Sequence, residues 1–117
     1  MTPSNSQLRR TIVLLERAGK QKKVPIWTVA SRILESPASL EVEVNVGRLS
    51  RLVEDGQVVF VPGKVLGTGV IDKKVTVGAY AFSDSAITKI VASGGKAVSV
   101  EEMVNEYPDG RGVKLVE

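Results

Sequence analysis

The chain has no cysteine and no histidine among its 117 residues, and only 4% of its side chains are aromatic. The absence of cysteine excludes disulfide frameworks, thiolate nucleophiles and zinc sites built on cysteine. The absence of histidine removes the commonest general base and the commonest transition-metal ligand. With so few aromatic rings, stacking on single-stranded nucleic acid is a minor expectation. Most hydrolase and metalloenzyme classes are therefore excluded, and we expect no cofactor.

Long apolar runs are missing as well. The longest, IVLL at 12–15 and VVFV at 58–61, have four residues each and are far shorter than a membrane span. The first ten residues contain no apolar stretch that resembles a signal-peptide core. We therefore expect a cytoplasmic protein with no membrane partner.

The composition is otherwise that of a globular chain, with 43% apolar and 25% charged residues. The length suits one compact domain over residues 1–117. The patterning predicts an α+β (mixed α/β) fold. In this fold residues 1–54 are mainly helical, and residues 55–117 mix short strands with helices.

Positive charge is concentrated at the start of the chain. Residues 1–23 hold six basic side chains and one acid, residues 24–52 hold three of each sign, and residues 53–117 hold seven basic and nine acidic side chains. Such asymmetry favours a polyanionic partner approached from one end, although a solvated helix face produces the same pattern.

The first predicted helix covers Gln7–Ala18. Ser4 and Ser6 provide oxygens for its N-cap, and Gly19 is predicted to end it, so that 20–23 forms an exposed basic loop. The spacing places Leu8, Ile12 and Leu15 on one face, with Arg10, Arg17 and Lys20 opposite and Arg9 at the edge. This helix is therefore expected to dock on a core and to present basic groups outward.

A second helix is predicted over Pro25–Glu35, ended by Pro37. Its apolar stripe is Ile26, Val29, Ala30 and Ile33. Trp27 leans toward the Ala30 and Leu34 side, and a packing role for its ring is favoured over base stacking.

Asn45 is predicted to cap a third, shorter helix that runs to about Val53. Its inward residues are Val46, Leu49 and Val53, and Arg48 and Arg51, three residues apart, point outward on a common side.

Short strands are predicted after the turn at Asp55-Gly56. The first is Gln57–Val61, closed by Pro62-Gly63, and the second is Val75–Ala81. Ser83 is then predicted to cap a helix through Ala92 that ends at Gly94-Gly95. Its inward residues are Ala86, Ile87, Ile90 and Val91.

The end of the chain repeats this alternation of strand and helix. A brief strand at 96–99 precedes a helix that reaches about Tyr107, for which Ser99 and Glu102 form a capping box. The turn at 108–110 leads to a last strand near Val113–Val116.

The glycine-rich run PGKVLGTG does not match the known phosphate-binding motifs. In a Walker A loop a Ser or Thr follows Gly-Lys, whereas Val65 follows Gly63-Lys64 here. GTGVID at 67–72 has Asp72 where the third glycine of a dinucleotide fingerprint belongs. A structural turn and a loop that contacts phosphate through Lys64 both remain open.

No catalytic constellation is present. The pairs Glu41/Glu43 and Glu101/Glu102 lack neighbours that would shift their pKa values in a predictable direction. Ser83 and Ser85 have no histidine or lysine partner, so capping explains them better than nucleophilic catalysis. The chain is therefore not expected to be an enzyme or to have a small-molecule substrate.

Several stretches occur together in the order and spacing of one family: PIWTVASRIL at 25–34, VNVGRLSRL at 44–52, VPGKVLGTG at 61–69, VTVGAYAFSDSA at 75–86, ITKIVASGG at 87–95 and YPDGRGVKL at 107–115. The chain resembles, over nearly its whole length, the archaeal and eukaryotic large-subunit ribosomal proteins of the L-eighteen-e family, relatives of bacterial L-fifteen. The resemblance implies helices followed by irregular short β-β-α units. One departure is the loop SPASLEVE at 36–43, which is usually rich in Lys and Arg in this family and is neutral to acidic here.

The resemblance implies a structural constituent of the large ribosomal subunit, with large-subunit ribosomal RNA and neighbouring ribosomal proteins as partners. Proteins of this kind contact phosphates and shape rather than base edges. The alternative is a small protein-interaction module whose basic helix binds an acidic partner. The residues expected to bind RNA are Arg9, Arg10, Arg17, Lys20, Lys22 and Lys23, extended by Arg32, Arg48, Arg51 and Lys64.

Overall fold

The computed structural model describes residues 5–22, 25–36 and 42–117, without the side chains of Asn5 and Lys22. Among the described residues no helix meets the length and hydrophobicity of a membrane-spanning segment. In chain order, the elements of the described residues are α1 (Asn5–Lys22), α2 (Pro25–Glu35), β1 (Glu43–Asn45), α3 (Val46–Leu52), β2 (Val58–Leu66), β3 (Thr76–Phe82), α4 (Asp84–Ala92), β4 (Lys96–Val98), α5 (Val100–Glu106) and β5 (Val113–Leu115).

The strands form one parallel sheet in the order β1-β2-β3-β4. Along one edge, the long strand β2 pairs with two short strands. Its C-terminal part pairs with β1 through Lys64–Leu66, and its N-terminal part pairs with β5 through Val58–Phe60. The predicted mixed α/β fold is therefore confirmed, and β1 is a strand that the sequence pattern did not indicate.

Helices cover both faces of this sheet. Because successive side chains of a strand point to opposite faces, Val59 and Val61 of β2 pack in a core with α3 and α4, whereas Phe60 packs in a second core with α1, α2 and α5. The cations of α1 and those of α3 thus belong to opposite sides of the molecule.

Trp27 joins the helical pair to the sheet. Its side chain is fully buried, and its ring centroid lies 5.5 Å from that of Phe60. The indole Nε1 donates a hydrogen bond to the Pro108 carbonyl oxygen at 3.2 Å. The predicted packing role of Trp27 is confirmed.

The predicted helix caps of the second half are also confirmed. The Ser83 side chain accepts a hydrogen bond from the backbone N–H of Ala86, and Ser99 and Glu102 form a complete capping box. Gly94, just after α4, has φ of 89°, the left-handed conformation that favours glycine. At α3 the prediction was wrong in part, because the Asn45 side chain makes no capping hydrogen bond.

Gly19 does not end α1, which continues to Lys22, so the prediction of a basic loop from residue 20 was wrong for residues 20–22. The glycine serves close packing instead. A Cβ at position 19 would lie 2.2 Å from Oγ1 and 3.1 Å from the backbone nitrogen of Thr28 on α2. The absence of a side chain lets the two helices approach each other.

The buried face of α2 is rotated from the predicted stripe, and the buried face of α4 is narrower than predicted. Val29 is 40% exposed, as is Ile87, and Val91 is 57% exposed. The side chains of α2 that face the core are those of Trp27, Ala30 and Leu34. Ser31 is also buried, and its hydroxyl is satisfied by a hydrogen bond to the Thr28 carbonyl oxygen. On α4 only Ala86 and Ile90 are buried, one turn apart.

Pro62-Gly63 does not close β2, contrary to the sequence prediction. The strand passes through both residues, and the register with β3 shifts between Val61 and Lys64. A proline is tolerated within a strand at such an irregularity, where no ladder hydrogen bond needs its nitrogen. Gly63 is required by contact, because a Cβ there would lie 2.4 Å from the Val42 carbonyl oxygen.

Candidate nucleic-acid interface

The outer face of α1 carries four exposed basic side chains. The inner face is fixed to the core by Leu15 and Ala18, which are buried, with Leu8 and Ile12 packed against the same cluster. Within the described part of the chain, none of the four cations forms an ion pair or a side-chain hydrogen bond. They are Arg9, Arg10, Arg17 and Lys20.

The remaining predicted cations of the N-terminal region are placed only in part. Arg32 is exposed on α2, so a second helix adds to the charge of this side. The side chain of Lys22 and the whole of Lys23 lie outside the described residues, and so does Ser4, one of the two predicted capping residues.

An acidic pair borders this basic side. A hydrogen bond with the Glu16 carboxyl raises the pKa of Glu35, and desolvation and repulsion from the Glu16 charge act in the same direction. The nearby positive charge of Arg32 lowers the pKa of Glu35 and opposes these effects. The close approach of two carboxyl groups is a consequence of the packing of α1 on α2 that Gly19 permits.

Arg48 and Arg51 lie on α3 and are exposed, as predicted. Their helix packs on the opposite face of the sheet from α1, because Val46 and Leu49 belong to the core of α3 and α4. The fold therefore does not bring these two arginines together with the α1 cations.

Lys64 is half-buried on β2, beside the irregularity of that strand. Its nearest partners across the sheet are Glu43 on β1 and Ala81 on β3. Lys64 is thus part of the sheet and not the tip of an exposed loop.

Two other lysines of the second half bind backbone carbonyl oxygens, one in the glycine-rich segment and one at the end of α3. Lys89 Nζ donates to the carbonyl oxygens of Gly67 and Gly69 at 2.6 and 2.7 Å. Lys73 Nζ donates to the carbonyl oxygens of Ser50 and Val53, at the end of α3, where helix carbonyls lack partners within the helix. A cation at this end of a helix is also favoured by its dipole.

The glycines of the glycine-rich segment lie where the chain packs too closely against its neighbours to leave room for a side chain. A Cβ on Gly67 would lie 2.0 Å from Ser85 Oγ, and a Cβ on Gly69, whose φ is 92°, would lie 2.7 Å from the Cα of Gly47. The Gly47 N–H donates to the Thr68 carbonyl oxygen at 3.1 Å. These contacts favour the structural turn over the phosphate-contacting loop, the two interpretations that the motif left open.

A groove of about 700 Å³ lies alongside α1. The α1 side of the groove carries cations and apolar side chains, and the other side is formed by Tyr80 of β3 and by the start of α5. Its lining residues are Gln7, Arg9, Arg10, Thr11, Val13, Leu14, Arg17, Tyr80, Ser99, Val100 and Glu101. Sequence reasoning found the arginines, but it missed Tyr80 and did not place Glu101 beside them, because both are more than 60 residues away in the chain.

No group of three or more carboxylate, histidine or cysteine side chains that could hold a metal ion is found in residues 5–22, 25–36 and 42–117. On the described surface, four exposed basic side chains share α1, three exposed arginines lie on α2 and α3, and the groove runs beside α1. Exposed cations on a rigid scaffold attract anionic partners.

Comparison with known proteins identifies the family. The profile of the family described as ribosomal proteins 50S-L15 and 50S-L18e, with a third protein of the 60S subunit, matches residues 43–98. Large ribosomal subunit protein eL18 of Pyrobaculum aerophilum is 40% identical over 114 residues, which is 97% of this chain and 93% of that protein.

Two further relatives have the same name. Large ribosomal subunit protein eL18 of Methanococcus maripaludis is 38% identical over 97% of this chain and 94% of its own length. The protein of that name from Methanospirillum hungatei is 36% identical over 97% of this chain and 93% of its own length. The resemblance drawn from the sequence motifs is confirmed, and the chain belongs to the eL18 family of large ribosomal subunit proteins.

Proposed function

We propose that the chain is a structural constituent of the large ribosomal subunit and binds its ribosomal RNA through the basic face of α1. Membership of a ribosomal protein family supports the ribosomal role and confirms the prediction that the chain is not an enzyme. Large-subunit ribosomal RNA and neighbouring ribosomal proteins are the partners that this role implies.

One observation supports the RNA contact most strongly. Arg9, Arg10, Arg17 and Lys20 are exposed and unpaired within the described residues, on a helix whose opposite face is fixed to the core. Cations held in this way neutralise phosphates and release condensed counterions, so affinity is expected to fall steeply with salt. Helical RNA is contacted mainly at phosphates and 2′-hydroxyls, which require charge and shape more than base-specific side chains.

The test compares two double variants that remove the same charge. Arg10→Gln with Arg17→Gln removes two cations from α1, and Lys96→Gln with Arg111→Gln removes two exposed cations from the second half. Binding to transcribed large-subunit ribosomal RNA is measured as a function of salt. If the unsubstituted chain neutralises about five phosphates, its log-log slope is roughly −3.5 to −4.5.

The α1 variant is expected to weaken binding and to reduce the magnitude of the slope by roughly 1.4 to 1.8. The control variant is expected to leave the slope unchanged. An unsubstituted chain with a slope near zero would contradict the proposal, and so would an equal loss in both variants. Release of the chain from purified large subunits in a moderate salt wash would favour the module that binds an acidic partner.

A further inference from the structure

The groove beside α1 combines three kinds of lining. Arg10 and Arg17, one heptad apart on α1, line one side and are exposed. Apolar groups lie between the arginines and the opposite side, among them Val13, which is 42% exposed. An aromatic ring, a serine and a carboxylate complete the other side, from Tyr80, Ser99 and Glu101.

Tyr80 is the aromatic residue of this groove. Its side chain is half-buried and packs against the core of α1, α2 and α5, so the ring is held in position. Within the described residues its hydroxyl has no hydrogen-bond partner, and burial raises the pKa of Tyr80, which keeps the hydroxyl protonated at neutral pH. A fixed ring and a free donor therefore face the same space as the arginines.

From this arrangement we infer that the groove takes one unstacked nucleotide of the ribosomal RNA, its base against Tyr80 and its phosphate against Arg10 and Arg17. The inference rests on the proposed function and adds a ligand class to it. Bases that leave a helix are recognised by stacking on aromatic rings, and their phosphates by arginine. The volume of about 700 Å³ lies within the range of sites for small ligands.

Glu101 distinguishes a nucleotide from an acidic peptide. Both ligands bring negative charge to the arginines. An acidic peptide that fills the groove would also bring its carboxylates to the exposed carboxylate of Glu101, where like charges repel. A nucleotide brings amino and hydroxyl donors, for which a carboxylate is an acceptor.

The experiment measures binding of full-length variants to transcribed large-subunit ribosomal RNA, with the salt dependence of each. Tyr80→Leu removes the ring and keeps an apolar contact with the core, and Tyr80→Phe removes only the hydroxyl. The matched control is Tyr107→Leu, because Tyr107 also packs against the core of α1, α2 and α5 but does not line the groove. Thermal unfolding of each variant shows that the fold is retained.

Tyr80→Leu is expected to weaken binding by about 5- to 150-fold with an unchanged salt slope, because stacking is lost and the phosphate contacts remain. Tyr80→Phe is expected to bind within about threefold of the unsubstituted chain, because the ring that stacks is kept and only one hydrogen-bond donor is lost. Tyr107→Leu is expected to bind normally.

Equal binding by Tyr80→Leu and the unsubstituted chain, with the salt slope of the α1 cations intact, would overturn the inference and leave the proposed function standing. A slope near zero for the unsubstituted chain would overturn both. Ultraviolet cross-linking of purified large subunits gives a second measurement that does not depend on the folding of a variant. A nucleotide adduct mapped to Tyr80 supports the inference, and a peptide adduct there, or RNA adducts that spare Tyr80, contradicts it.

Discussion

Four basic side chains of α1 and three lysines of the second half have the same charge but different surroundings. On α1 they are exposed and unpaired within the described residues. In the second half, Lys73, Lys89 and Lys114 each donate to at least one backbone carbonyl oxygen, in the glycine-rich segment or at the end of α3. The comparison teaches that a count of cations does not locate an anion-binding surface, because some cations are used to hold the chain itself.

The reason for this difference is geometrical. Lys73, Lys89 and Lys114 lie beside the glycine-rich segment or the C-terminal end of α3, where carbonyl oxygens lack partners in regular structure, and a lysine amine can donate to two of them at once. Helix α1 satisfies its own backbone over most of its length, so its cations have no carbonyl oxygens to bind. They remain available to a partner.

The largest effect is expected when the close packing of α1 on α2, which holds the exposed cations of α1 in place, is disrupted. Gly19→Leu should lower the free energy of unfolding by about 1 to 3 kcal/mol, because the added side chain collides with Thr28 of α2. Leucine favours a helix over glycine, so the loss would measure the steric conflict. Gln21→Leu, at an exposed position of the same helix, should stay within about 0.5 kcal/mol. Denaturant unfolding measures both, and equal values would show that the helices do not need close contact.

A smaller effect is expected when a cation that binds carbonyl oxygens and an exposed cation of α1 are each replaced. Lys89→Met should lower the free energy of unfolding by about 1 to 2 kcal/mol, because the carbonyl oxygens of Gly67 and Gly69 lose a charged donor. Arg17→Met should leave the free energy of unfolding within about 0.5 kcal/mol. In RNA binding the order should reverse, with a reduced salt slope for Arg17→Met only. The comparison between the two regions fails if both variants change stability alike.

The smallest effect concerns the acidic border of the basic side. The pKa of Glu35 is raised, chiefly by its hydrogen bond with Glu16, so the folded chain binds a proton more tightly than the unfolded chain. The contribution of Glu35 to the free energy of unfolding should therefore increase as the pH falls through its raised pKa. At neutral pH both carboxyl groups are charged, and the repulsion between Glu35 and Glu16 should be fully present.

We accordingly expect Glu35→Gln to unfold at a higher temperature than the unsubstituted chain at pH 7, with the gap closing as the pH approaches 4.5, the ordinary pKa of the group. Thermal unfolding across this pH range checks the prediction. Glu106→Gln, an exposed glutamate of α5, is the control and should show no such trend. If the difference in unfolding temperature grew as the pH fell, the pKa of Glu35 would be lowered by folding and not raised.

Local signals in the sequence were sufficient for the helix boundaries that depend on neighbouring residues. Ser83, the pair Ser99 and Glu102, and Gly94 act within one turn of their helices, so their roles follow from spacing alone. Gly19 and Pro62 were misinterpreted for the same reason. Their local meaning is a stop, but contact with α2 and the irregularity in β2 override it.

The candidate site was predicted to a similar degree. The exposed cations of α1 follow from the helical period, because apolar residues on one face leave the opposite face to solvent. The separation of Arg48 and Arg51 from them could not be predicted, since it depends on which face of the sheet each helix covers. The contribution of Tyr80 to the groove depends in the same way on long-range packing.

Residue types and their short-range order were enough to predict the family, the mixed α/β class, the basic character of the first helix and the absence of catalytic histidine and cysteine chemistry. Three features required the folded chain: which cations stay unpaired, which lysines donate to backbone carbonyl oxygens, and which distant side chains line the groove with α1. These outcomes depend on contacts between segments far apart in the chain, and such contacts are set by the packing of whole helices on the sheet.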